Sequence, residues 1–162
     1  MSLHSELVEL AADIEVPEGF RADAKGDVIV VSPQRPEHWQ IILDTCIRLH
    51  SPELRTTSDV KIPGTGENAK APDVGVFPKE AELHASNALA FVEVVSPSSR
   101  ETDYLDKSGI YADAGVPEYL IVDPDRESWT LNTEPADGNY QHTVTKPITT
   151  PVTIAGVQVE FE

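Results

Sequence analysis

Three acids and one lysine in this 162-residue chain stand where phosphodiester chemistry could be done: Asp73, Glu93, Asp103 and Lys107. Glu93 interrupts residues 88–95, a run apolar at nearly every other position, which is the pattern of a strand buried on both faces. A carboxylate there is costly unless an opposite charge or a metal ion answers it. Asp73 heads a second short apolar strand, Pro72-Asp73-Val74-Gly75-Val76-Phe77. If the two strands are neighbours, both carboxylates emerge near one sheet edge and can share a cation. Hard oxygen donors suit Mg²⁺ or Mn²⁺, which keep several waters and bind phosphate oxygens. Asp103 and Lys107, four apart, fall on one face of a helix that begins just after the Glu93 strand. Lysine there could orient an attacking water or stabilise charge building on a phosphate. The reaction these groups suggest is metal-assisted phosphodiester hydrolysis.

Each residue also has a plainer reading. Asp73, taken alone, is better explained as a cap after Pro72. An exposed Asp103–Lys107 pair would contribute roughly 0.2–0.5 kcal/mol, and spacing alone favours it; the helix's position beside the Glu93 strand argues against it. Glu93 differs, because a structural role needs a buried Arg or Lys that the sequence does not single out. The histidines at 4, 38, 50, 84 and 142 show no metal-ligand spacing. His38, at the head of a helix, could face the site, but a surface or capping role is the simpler expectation. Tyr104 and Tyr111 read as core. The single cysteine, Cys46, rules out an internal disulfide framework and a multi-cysteine zinc site, and reads as a buried, inert thiol.

The elements that must position these groups follow from pattern and punctuation. A short helix is expected over 5–13, then a break at Pro17-Glu18-Gly19 and strands over 20–24 and 28–31 about Lys25-Gly26-Asp27. Ser32-Pro33 and Pro36 introduce a helix to about His50, with Trp39, Ile42, Leu43, Cys46 and Leu49 as its buried face. Strand-like sequence covers 54–62, and 64–68 is a surface turn. The two acid-bearing strands, 73–77 and 88–95, are joined by a polar excursion, and the second stops at Ser96-Pro97. Ser98 and Glu101 form a capping-box pattern that opens a helix to Ala114, with Gly115 as its stop. Strands over 118–122 and 128–132 pair about Asp125-Arg126, and weaker strands at 140–145 and 152–160 follow. The expectation is one mixed α/β (α+β) domain over 1–162, with most strands in one sheet and helices packed against it.

Bulk properties bound the function. The net charge of −16, from 12 Lys and Arg against 28 Asp and Glu, argues against tight autonomous DNA binding, because nucleic-acid binders display a basic footprint. It does not argue against chemistry on a phosphodiester. No signal peptide or membrane span is visible, so a cytoplasmic protein is expected.

The string Ala71-Pro72-Asp73-Val74, Phe91 through Ser99, Asp103, Lys107, Tyr111 and Gly115 through Pro124 resembles the Uma-two family. Those are bacterial proteins classed as candidate restriction endonucleases within the PD-(D/E)XK nuclease superfamily. The likeness covers roughly 17–133. It implies a restriction-endonuclease-like fold, a mixed central sheet flanked by helices, with a divalent-metal site. By position, Asp73 and Glu93 become the metal ligands. The superfamily's usual lysine, two residues after the acid, is here Val95; the family's helix lysine matches Lys107. Asp103 matches the helix acid, and Asp23 is the nearest match, across a one-residue gap, to an early family acid.

Two readings of different class follow. The first is a Mg²⁺-dependent endonuclease (Mn²⁺ also suitable) acting on nucleic acid, DNA ahead of RNA, in a homodimer because cutting a duplex favours two sites. The second is a weak or inactive nuclease-fold binding module acting through a protein partner, which the net charge, Val95 and Asp23 favour. A different metal-dependent phosphohydrolase is not separable by sequence.

Overall fold

The structure is a computed structural model that describes all residues except 1, 19, 34, 35, 97, 98 and 162. It forms two compact units, residues 1–37 and 38–162. The break expected at Gly19, the strand stop at Pro97 and the Ser98 cap fall outside the described residues.

The first unit holds helix α1 (Leu3–Asp13) and a hairpin of β1 (Phe20–Lys25) and β2 (Val28–Pro33). Ser2 caps α1, accepting the Ser5 amide on its hydroxyl. Gly26 takes φ +62° at the hairpin turn, a conformation glycine adopts without penalty.

Helix α2 (Pro36–Leu49) leads into the second unit. There β3 (Leu54–Thr57), β4 (Val74–Pro78), β5 (Ala90–Val94), β6 (Glu118–Asp123), β7 (Ser128–Ala136) and β8 (Asn139–Pro147) make one six-stranded sheet in chain order. Every pairing is antiparallel except β5 with β6. That parallel step requires a crossover, supplied by a π-helical segment (Thr102–Asp106) running into α3 (Lys107–Asp113). Gly115, at φ +77°, ends α3: its N–H donates to Ala112 O and that of Val116 to Tyr111 O, a Schellman closure. A small hairpin of β9 (Val152–Ile154) and β10 (Val157–Val159) closes the chain.

Strand alternation splits the core in two. On one face Val74, Val76, Ala90, Val92, Val94, Leu120 and Val122 pack with Leu49 of α2 and with Val152, Ile154 and Val159 of the last hairpin. On the other, Phe77, Phe91, Val95, Tyr119 and Ile121 pack with Tyr111 of α3. The buried side of α2 runs through Ile41, Ile42, Thr45, Cys46 and Leu49, whereas Trp39 is 60% exposed. The expected placement of Trp39 in the core is thus corrected. The helix has apolar residues on two flanks, and the sheet takes the flank centred on Thr45.

Candidate active site

The β4–β5 register pairs Val74 with Val92, so one further step places Asp73 opposite Glu93. Directly opposed residues of an antiparallel pair project to the same face, here the face that α3 covers. Asp73 Oδ2 accepts the Val94 N–H at 2.7 Å, and His38 Nε2 of α2 stands 3.7 Å from the same oxygen. The capping expectation for Asp73 and the metal-ligand expectation are therefore compatible. The amide bond orients a carboxylate that remains about a quarter exposed.

Glu93 is 2% exposed. Its Oε1 accepts the Tyr111 hydroxyl at 2.8 Å and lies 3.2 Å from Lys107 Nζ. Lys107 Nζ also meets Asp103 Oδ1 at 2.9 Å, as an ion pair not aligned for a hydrogen bond. Asp103 Oδ2 accepts the Ser99 hydroxyl at 2.8 Å, and the Asp103 carbonyl accepts the Tyr119 hydroxyl at 2.8 Å. The bland reading of Asp103–Lys107 as an exposed helix pair fails, because Asp103 is buried and Lys107 bridges it to Glu93. The π-helical geometry belongs to this arrangement: the Lys107 N–H bonds back to Thr102 O, one residue further than an α-helix would reach.

Charge at this cluster is unbalanced. Lys107, half-buried, is the partner that a structural role for Glu93 requires, yet it is shared with Asp103 while Asp73 adds a third acid nearby. Burial, then repulsion from Asp73, pushes the Glu93 carboxyl up to about 8; Asp103 adds to this, and Lys107 and Tyr111 oppose it. Burial would lower Lys107, but Glu93 and Asp103 outweigh it and raise its pKa. Tyr111 is pushed upward by burial and by Glu93, so it stays a neutral donor.

The donor set fits a hard divalent cation. It consists of carboxylate oxygens with an excess of negative charge. Among the described residues no group of three or more His, Cys, Asp or Glu could hold a metal by itself. Two carboxylates suit an ion such as Mg²⁺, which keeps waters and takes substrate phosphate oxygens.

Other expected positions fall elsewhere. Val95 is buried in the α3-side core, and the nearby ammonium comes from the helix instead. Asp23 lies on β1 of the first unit, paired with Arg21 at 2.9 Å. Tyr111, expected as plain core, also holds Glu93. His38, expected at the surface, faces Asp73. No local signal could have found either contact, since the partners are 18 and 35 residues apart. Cys46 is half-buried on α2, with burial raising its thiol pKa, as an inert side chain would be.

Among the described residues no helix is long and apolar enough to cross a membrane. A solved structure, a putative nuclease belonging to DUF820 from Anabaena variabilis ATCC 29413, is similar with a TM-score of 0.60 and 17% identity, covering 91% of this chain and 88% of that one. At that identity the likeness speaks for the fold alone: a mixed central sheet with flanking helices. No curated protein matches the chain. Residues 10–162 match the family described as Uma2, Putative restriction endonuclease, and the chain belongs to that family.

Proposed function

We propose that this nuclease-family protein is a divalent-metal-dependent endonuclease acting on DNA, with Asp73 and Glu93 holding Mg²⁺ or Mn²⁺. The observation that carries the reading is the placement of Asp73 and Glu93 on one face of adjacent strands, with Lys107 shared between Glu93 and Asp103. When bound, the cation would polarise a phosphate oxygen and make water a better nucleophile at neutral pH.

The chain's own residues then have separable tasks. Tyr111, fixed between the rings of Phe91 and Tyr119 at 4.9 Å each, holds Glu93 Oε1 and fixes the carboxylate's orientation. Asp103 and Glu93 hold the Lys107 ammonium at the cluster, where it can meet negative charge growing on the phosphate. Ser99 fixes Asp103 from the other side. Asp23 is proposed only as an auxiliary acid.

Cleavage of plasmid and of single-stranded DNA with added Mg²⁺ or Mn²⁺ tests the proposal. Wild type should cut, and Asp73→Asn with Glu93→Gln should not; cutting that survives loss of both carboxylates contradicts it. A second reading, a nuclease-fold binding module with a protein partner, is favoured by the net charge of −16. It predicts a folded wild type that binds its partner and cuts nothing.

A further inference from the structure

Beside the acid cluster, at the far end of β6, lies a pocket of about 380 Å³ lined by Arg100, Glu101, Tyr104, Leu105 and Arg126. It is a shallow depression, largely open to solvent, rather than an enclosed cavity. Asp123, fully buried, organises it. The Arg100 guanidinium meets the Asp123 carboxylate in a two-pronged contact at 3.0 and 3.2 Å, the Arg126 N–H donates to Oδ1, and the Tyr104 hydroxyl donates to Oδ2 at 3.3 Å. The acid is turned inward and holds the Arg100 guanidinium against itself, whereas the Arg126 guanidinium is turned outward. Arg126 is 60% exposed, lies over the Tyr104 ring at 5.9 Å, and is only 3.9 Å from Asp123. Leu105, 65% exposed, supplies an apolar wall.

We propose that this pocket receives one nucleotide of an unpaired nucleic-acid strand. The inference rests on the nuclease reading and adds to it the form of the substrate beside the scissile phosphate. A bare phosphate would not explain the lining, because Glu101 faces the same space and Asp125 stands 3.8 Å from Arg100. A nucleotide would: guanidinium for phosphate, Tyr104 and Leu105 for the flat base, and a carboxylate to accept from a base N–H. A base stacked within a duplex offers no free face to such a wall.

Placement agrees. Glu93 is level with Ile121 on the parallel neighbour, and Asp123 lies two residues beyond on the same face. At about 3.3 Å per residue and 4.8 Å between strands, the two backbone positions are roughly 8 Å apart, so the acid that anchors Arg100 lies next to the Glu93 cluster. A second space of about 320 Å³ shares Tyr104 and Leu105 and continues the groove past Ser108, Asn139 and Thr143, neutral groups able to bond a passing strand. In a chain of net charge −16, with Arg100 already paired to Asp123, the attraction for a phosphate falls to Arg126.

The test is fluorescence-anisotropy binding of a short labelled single-stranded oligodeoxynucleotide to the full chain in chelator, so that nothing is cut. The matching duplex and a deoxymononucleotide serve as competitors. Arg126→Ala should weaken binding about tenfold, the worth of one charge-assisted hydrogen bond. Arg48→Ala, which removes the same charge from an exposed place on α2, should change it less than about twofold. Leu105→Ala should weaken binding of the strand, and the duplex should compete poorly. Equal losses in Arg126→Ala and Arg48→Ala would overturn the proposal, as would absent binding by wild type at low salt. A mononucleotide that binds as tightly as the strand would overturn the strand assignment. A protein that binds the strand through Arg126 yet cuts nothing with metal would contradict the nuclease reading and leave the pocket standing.

Discussion

Strand β5 presents two faces to two environments, and the contrast separates what holds the protein together from what it is proposed to do. Ala90, Val92 and Val94 enter an apolar layer under α2 and the last hairpin. One residue out of phase, Phe91, Glu93 and Val95 enter the layer beneath α3, where Glu93 meets Lys107 and Tyr111. The first face stabilises by removing apolar surface from water, with no dependence on protonation. The second holds more acids than bases in a buried place, an arrangement that stability alone does not favour. One side serves folding alone, whereas the other combines a second apolar core with the acids proposed to do chemistry.

Breaking the ionic face at its cation should have the largest effect. Lys107→Met leaves Glu93 and Asp103 buried without a counter-charge, a loss of about 3 kcal/mol for a broken buried pair. Denaturant unfolding should show the loss growing as pH rises, because at low pH Glu93 escapes by taking a proton. Cleavage should be lost as well. On the apolar face, Val92→Ala should cost about 2 kcal/mol at every pH, from lost burial and the cavity left behind. A Val92→Ala loss that varied with pH as steeply as that of Lys107→Met would erase the distinction between the faces.

Glu93→Gln sharpens the comparison through its sign. The folded carboxyl is raised from 4.5 to about 8 in the metal-free protein, so the native state prefers it protonated. Its contribution to stability is full below about pH 4.5 and is lost as pH rises through about 8. The glutamine variant should therefore unfold with a flatter pH profile across that window and be the more stable protein at its upper end when metal is absent. Tyr111→Phe removes one buried hydrogen bond and should cost about 1–2 kcal/mol. Its more telling effect is weaker Mn²⁺ binding, which a merely structural tyrosine would not produce. The smallest change is expected for Asp23→Ala, within about 0.5 kcal/mol in stability, since its carboxylate is exposed and paired only with Arg21 among its described contacts.

Much of this was legible in the sequence where the signal is local. The two-sided apolar run marked β5, the anomaly within it marked Glu93, and the four-residue spacing brought Asp103 and Lys107 to one side of the helix. Gly115 ended that helix as its position suggested. What stayed hidden depends on tertiary choice. Trp39 and Thr45 both lie on flanks of α2 that a helical period allows, and only docking on the sheet selects between them. The π-helical step through 102–106 shifts Tyr104 toward Asp123 while Tyr111 stays on Glu93, a divergence that even spacing along an α-helix would not produce. The Asp123–Arg100 pair joins a strand end to a helix start 23 residues away, beyond any local pattern.

The most direct measurement is a calorimetric titration of Mn²⁺ into wild type and Glu93→Gln, below and above the carboxyl's pKa of about 8, with cleavage of plasmid and single-stranded DNA on the same samples. Wild type should bind one cation, more tightly at the higher pH and with proton release at the lower, and should cut; the variant should lose both binding and cutting. Equal binding by the two proteins, or cleavage that persists without Glu93, would contradict the assignment of this cluster as the metal-holding centre.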